Sequence, residues 1–249
     1  MRKLTYTLSI FGFILLGGVI FFLVFKGITP SANKSRNELS FNHENEIVMD
    51  GTKIQLPEPR TSGGMSLTEA LVLRRSVRSY SQEPFSLADV SQLLWSAQGV
   101  TNERGFRTAP SAGATFPLEM YVMINNVSGM ERGVYHYDPF GNTLEVVLSE
   151  DVSAALTRAS LSQSMIREGS IVLIFGAVFE RTETRYGERG ERYVYNEIGH
   201  AAQNVHLQAA AMELGTVVIG AYRDEEVENI LQLGDEIRVL YMMPVGKMN

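Results

Sequence analysis

The stretch Ser170–Phe179, SIVLIFGAVF, runs for ten residues with no charge and no alternation of apolar with polar side chains. A strand wetted on one face alternates, so a continuous apolar run marks a strand buried on both faces, near the centre of a sheet. Such a strand is stable only if other elements cover the sheet above and below it. The rest of the chain must therefore supply helices for two sides.

The covers can be read from their caps. Ser66 with Glu69 (SLTE) and Ser86 with Asp89 (SLAD) have capping-box spacing. The first predicts a helix through Leu67, Ala70, Leu71 and Leu73 that continues into the arginines beyond it. The second predicts a helix burying Val90, Leu93, Leu94 and Trp95 and ending at Gly99. A small-residue loop, Arg107–Pro117, leads to the alternating strand LEMYVMI, and Tyr135–Val147 reads as a hairpin turned at Asp138, Pro139 and Gly141. Ser149 is expected to open a helix with Glu150 and Asp151 in its first turn. A long helix is expected from about Tyr193 to Leu214, closed by Gly215 in the left-handed conformation, its alanines making it slim enough to pack closely on another helix, as at a dimer interface. TVVIGAY, DEEVENILQL and IRVLYMMPVG then predict strand, helix, strand. The class is α+β, a mixed sheet with helices packed on it, without internal repeats.

Leu4–Phe25 is 22 residues without a charge, preceded by Arg2 and Lys3. That suffices to cross a hydrocarbon layer of ~30 Å and exceeds the h-region of a signal peptide, the competing reading. The predicted organisation is thus residues 1–26 as a single-pass membrane anchor, 27–64 as a Pro- and Gly-broken linker, and 65–249 as the folded domain. Positive charges flank the span about equally, so they do not fix sidedness. The chain has no cysteine, which excludes disulfides and thiol chemistry, and its net charge of -6 argues against a nucleic-acid partner.

Against that acidity, LRRSVRSY places three arginines within five residues. On a continued helix Arg74 and Arg78 share a face, with Arg75 about 100° round and Ser76 beside them. Forked guanidinium donors match phosphate oxygens, whereas arginines ending a helix also complement its dipole, and the cluster alone is open to both readings. In the loop, Ser111, Ala112, Gly113 and Ala114 have no bulky side chains, so their amides can approach a flat ligand. The chain has no H-E-x-x-H, G-x-S-x-G, G-x-G-x-x-G or P-loop, and His200 and His206, six apart on one helix, read as packed residues with no metal implied. Hard chemistry would then fall to a bound cofactor.

Taken in order, the capped helix, RRSVRSY, APSAGATFPLEMYV, GHAAQNVHLQAAAMELG, TVVIGAY and MPVGK resemble the FMN-dependent nitroreductase superfamily, in its SagB/ThcOx-type branch, over about Leu56 to Asn249. The resemblance implies a mixed, mainly antiparallel sheet flanked by helices, in an intertwined homodimer with FMN at each interface. Arg74 and Ser76, with Arg75 in the same segment, match positions that grip the FMN phosphate and ribityl chain. Arg78 matches the basic residue at the pyrimidine edge of the ring. Pro110, Ser111, Ala112 and Gly113 match the loop that lines the ring, usually from the other subunit. Val218, Ile219 and Gly220 match the strand beside it, and Lys247 and Asn204 are further candidates. The implied activity is two-electron transfer through the flavin between NAD(P)H or a quinone and a small acceptor, with no obligatory protein acid or base. An azoline- or peptide-oxidising role and a non-catalytic tethered binding module are the alternatives. If Arg2 and Lys3 hold the N-terminus in the cytoplasm, the domain lies outside, where NAD(P)H gives way to a quinone or protein donor.

Overall fold

The computed structural model describes residues 49–50 and 53–249. The predicted anchor and most of the linker lie outside the described residues. Among the described residues no helix is long and apolar enough to cross a membrane. The elements are β1 (Met49–Asp50), β2 (Lys53–Gln55), α1 (Leu67–Leu73), α2 (Leu87–Gln98), a 3-10 turn (Ala112–Ala114), β3 (Leu118–Ile124), β4 (Gly133–Asp138), β5 (Thr143–Leu148), α3 (Ser153–Ala159), α4 (Met165–Glu168), β6 (Ile171–Ala177), α5 (Glu180–Tyr186), α6 (Arg189–Ala211), β7 (Leu214–Thr216), α7 (Asp224–Leu231) and β8 (Arg238–Lys247).

The strands form one sheet in the order β1-β2-β5-β4-β3-β6-β8-β7. Among the described residues every ladder is antiparallel, and parallel pairing occurs only as isolated bridges, Ser76 with Thr216 and Phe85 with Val127. The apolar run Ser170–Phe179 supplies β6, buried along its whole length between β3 and β8. Alternate residues serve two separate cores. Leu173 and Phe175, with Met120 and Val122 of β3, meet α2 and α6 on one face. Val172 and Ile174, with Tyr121 and Met123, meet α3, α4 and α7 on the other. A period of two thus becomes three layers.

Several local expectations differ from the structure. Residues 49–50 and 53–55, inside the stretch read as a linker, form β1 and β2 at the sheet edge, with Ile54 and Leu56 buried. Two- and three-residue strands are too short to show a period. The helix expected from Ser149 begins only at Ser153, because β5 runs to Leu148; Asp151 instead caps it from outside, its Oδ1 accepting the Ser153 N–H at 2.9 Å. The long helix ends at Ala211, and the left-handed residue beyond it is Glu213, not Gly215. Gly215 lies in β7, where a Cβ would come within 2.6 Å of Val77, so close approach rather than a turn requires glycine there. The run TVVIGAY is strand only at Thr216 and a bridge at Ile219. Finally, Ala201, Ala202 and Ala209 are buried in the chain's own core beside α2, so the slim helix packs within one copy and does not by itself indicate a dimer.

Candidate functional site

The arginine segment is not helical. α1 stops at Leu73, Arg74 turns out with φ -52° and ψ 121°, and Ser76 bridges Thr216 in parallel, the Val77 N–H donating to the Thr216 carbonyl at 2.9 Å. Arg74 and Arg78 therefore do not share a helical face; where the chain is extended the period is two, which groups Arg74, Ser76 and Arg78 and sets Arg75 apart. Arg75 serves the backbone instead, its Nη1 donating to the carbonyls of Val72 (2.8 Å) and Arg74 (2.7 Å) and so completing the end of α1. No hydrogen bond or ion pair engages the Arg74 or Arg78 guanidinium among the described residues. Arg74 acts on His206 of α6, whose Nδ1 is buried without a partner; burial and then this charge push the imidazole pKa down. Lys247 lies at the end of β8 with its Nζ 3.0 Å from Glu83 Oε2. Ile219 exchanges both backbone hydrogen bonds with Met242 (2.8 and 3.0 Å), leaving Val218 half-buried and Gly220 exposed.

The small-residue loop is strained and clasped. Gly113, Ala114 and Phe116 all have positive φ (61°, 54° and 44°), a conformation costing roughly 1–2 kcal/mol for each residue with a Cβ. α5, part of a segment notable in sequence only for its charge, holds the loop in place. Arg185 donates to the Gly113 carbonyl at 2.9 Å, Arg181 to the Phe116 carbonyl at 3.1 Å, and the Thr115 and Thr182 hydroxyls lie 2.8 Å apart. Arg181 also pairs with Glu119, 2.6 Å away, and His136 Nε2 lies 2.8 Å from the other carboxylate oxygen. Burial alone would raise the Glu119 pKa, but these two hydrogen bonds outweigh it and hold the carboxyl below its ordinary value. Ser111 accepts the Phe116 N–H at 2.9 Å, and Pro110 is exposed.

From beneath, α6 supports the same loop. Asn204 donates to the Thr108 carbonyl at 3.1 Å, so this candidate holds backbone. Glu197 is 2% exposed; its Oε1 has no hydrogen-bond partner, while the Ser111 hydroxyl, the Ala112 N–H and the Arg107 charge face the carboxyl. Burial dominates, pushing its pKa up to about 7. Arg107 lies between the rings of Phe116 (5.1 Å) and Phe140 (4.8 Å), on the wall of a cavity of about 500 Å³ that Glu119, His136 and Arg181 also line. The candidates therefore fall into two groups along α6. The Arg74 group lies at the His206 end and the Ser111 group at the Glu197 end, nine residues or about 14 Å of helical rise apart.

The nitroreductase family model matches residues 71–247, from the end of α1 through β8. The chain belongs to the nitroreductase family. A Methanocaldococcus jannaschii protein assigned to the nitroreductases is 46% identical over 198 residues, covering 80% of this chain and 98% of that protein. A solved structure from Ralstonia eutropha, also assigned to the nitroreductases, has a TM-score of 0.69 at 28% identity, covering 80% of this chain and 90% of the other. A trifolitoxin-processing protein of Rhizobium leguminosarum is 32% identical over 138 residues, 53% of this chain but only 37% of that longer protein. The expected superfamily, including its SagB-type branch, is thereby supported, and this nitroreductase is an oxidoreductase.

Sequence reasoning missed the residues that shape this nitroreductase's loop, namely Arg107, Arg181, Thr182, Arg185 and Glu197. For Glu197 the signal was present. Val194, Ile198, Ala201 and Val205 form the buried stripe of α6, and Glu197, three after Val194 and four before Ala201, is a carboxylate on that stripe. The clasp from α5 was not legible, because its donors act on backbone carbonyls far away in sequence.

Proposed function

We propose that this chain is an FMN-dependent oxidoreductase that passes electron pairs between a reductant and a small acceptor. The observation that carries this reading is the pair Arg74 and Arg78, two guanidinium groups without carboxylate partners on a segment bridged to β7, in a nitroreductase-family fold. Charge-assisted donors without protein partners suit a phosphate monoester, and the neighbouring Ser76 is exposed and adds a hydroxyl. Gly220 and Gly113 are both exposed and without side chains, so their backbone is accessible to a flat ring. Bound FMN supplies reversible two-electron chemistry. The protein's part is to hold the phosphate with Arg74 and Ser76, to place the Arg78 cation where negative charge collects on reduction, and to present Pro110–Gly113 to the ring.

The two groups of candidates are separated along α6, and α1 leaves Leu67, Leu71, Val72 and Leu73 more than half exposed. Both features support a homodimer in which each copy lends its loop to the partner's flavin and α1 is covered. Residues 4–25 would anchor it in a membrane, with NAD(P)H or a quinone as donor according to side. A reporter fused after Asn249 reads that side. The freshly purified protein, or one reconstituted with excess FMN, is expected to be yellow, absorbing near ~450 nm. A colourless protein that cannot be reconstituted would overturn the reading in favour of a flavin-free binding module. The trifolitoxin-processing relative supports a second reading, peptide oxidation. Anaerobic reduction by an azoline peptide, with no turnover of quinones or nitroaromatics, would select it.

A further inference from the structure

Glu197 has no role in the function proposed above, yet it is the carboxylate on the buried stripe of α6, directly beneath the 3-10 turn. The groups acting on it are the Ser111 hydroxyl, the Ala112 N–H and the Arg107 guanidinium. Arg107 is itself shared, its Nη1 donating to the Gln98 carbonyl and its charge also acting with Tyr137, Glu119 and Asp138. An ionised carboxylate offers about four acceptor positions. Two donors face this one, and Oε1 has none. The turn above it is left-handed at Gly113, Ala114 and Phe116.

We propose that Glu197 is a positioning residue that holds the 111–116 turn closed as a neutral carboxylic acid and loosens it on ionisation. The physical reason is that a neutral carboxyl group is satisfied by few partners, whereas a buried anion short of donors gains by admitting water. Lifting the turn above the carboxyl lets that water in. By linkage, the closed turn binds the proton more tightly than the open one, so the open fraction grows as pH rises. That loosening of the turn also weakens flavin retention rests on reading Pro110–Gly113 as the flavin-facing loop. The response of the turn does not.

The test is amide hydrogen exchange of the 108–117 segment in the full-length chain without added flavin, between pH 5.5 and 8.5, corrected for the intrinsic exchange rate. Protection of the wild-type turn is expected to fall about 30-fold across that range, for a carboxyl that moves between about 7 when closed and its ordinary 4.5 when open. The fall should come mostly below pH 7. In the isosteric Glu197→Gln the profile should be flat, and in Ser111→Ala, which removes a donor to the anion, the midpoint should move to higher pH. Flat wild-type protection, or a Glu197→Gln profile that titrates like wild type, sinks the proposal. A parallel FMN titration by flavin fluorescence separates the two readings. Absence of FMN binding at every pH removes the flavin assignment while leaving the exchange result intact, whereas FMN binding with a pH-independent turn removes the latch alone.

Discussion

At the scale of single residues, the three arginines of one short stretch divide their labour according to backbone geometry. Arg75 returns to α1 and completes its carbonyls, while the donors of Arg74 and Arg78 have no partner among the described residues. Arg74→Ala is therefore expected to weaken FMN binding about 10- to 100-fold, the equivalent of one charge-assisted contact of ~1.5–3 kcal/mol, measured by titrating the apoprotein. Arg75→Ala should instead lower thermal stability by roughly 0.3–1 kcal/mol and leave the FMN affinity within about twofold. Glu197 contributes with the opposite sign to most carboxylates. Its folded pKa, about 7, lies above the ordinary 4.5, so between these values the folded chain keeps a proton that the unfolded chain has released. Stability from this group is thus full below about pH 4.5 and lost as pH rises to about 7, at a cost of up to about 3 kcal/mol. Glu197→Gln should remove that slope and unfold at higher denaturant than wild type at pH 8.

Among elements, the decisive partnership is between α5 and the loop before β3. Two arginines and a threonine of a seven-residue helix determine the path of residues 113–116, and glycine is required at 113 twice over. Its φ is +61°, and a Cβ there would lie 2.5 Å from Tyr186 Oη and 2.9 Å from Arg185 Cζ. Gly113→Ala is expected to destabilise by about 1–2 kcal/mol from the backbone alone, with the contact added to it. Combining it with Tyr186→Phe should recover the Tyr186 share of the contact and leave the Arg185 and backbone shares, read as two distinct midpoints in urea. None of this was visible in the charged run Glu180–Arg192, since a helix whose donors serve distant carbonyls has the composition of a solvated one. The capping boxes were more informative: at α2 the box is complete, Ser86 accepting the Asp89 N–H at 3.2 Å and Asp89 accepting the Ser86 N–H at 2.9 Å. At α1 the forward bond from the Glu69 N–H is made, at 3.2 Å.

Over the whole molecule, the exposed apolar residues of α1 and the separation of the two candidate groups along α6 both favour a second copy. Leu71→Glu is expected to convert the proposed dimer to a monomer by light scattering and to lower FMN affinity at the same time, since each flavin would lose the partner's loop. A monomeric wild type that binds FMN with full affinity would contradict that arrangement.

Patterns that depend on neighbours in the chain were determined by the sequence alone: the doubly buried central strand, the hairpin of β4 and β5, the capped helices, and the ordered motifs by which the family was recognised. These survive because side-chain periodicity and caps are local physics, set within a few residues. Tertiary structure alone decided where α1 ends, which arginine serves the backbone and which are without a hydrogen-bonding partner among the described residues, that the alanines of α6 fill this chain's own core, and that a buried glutamate lies under the loop. Each of these depends on what stands opposite across the fold, and the energy of a contact belongs to both partners, of which the sequence presents only one at a time.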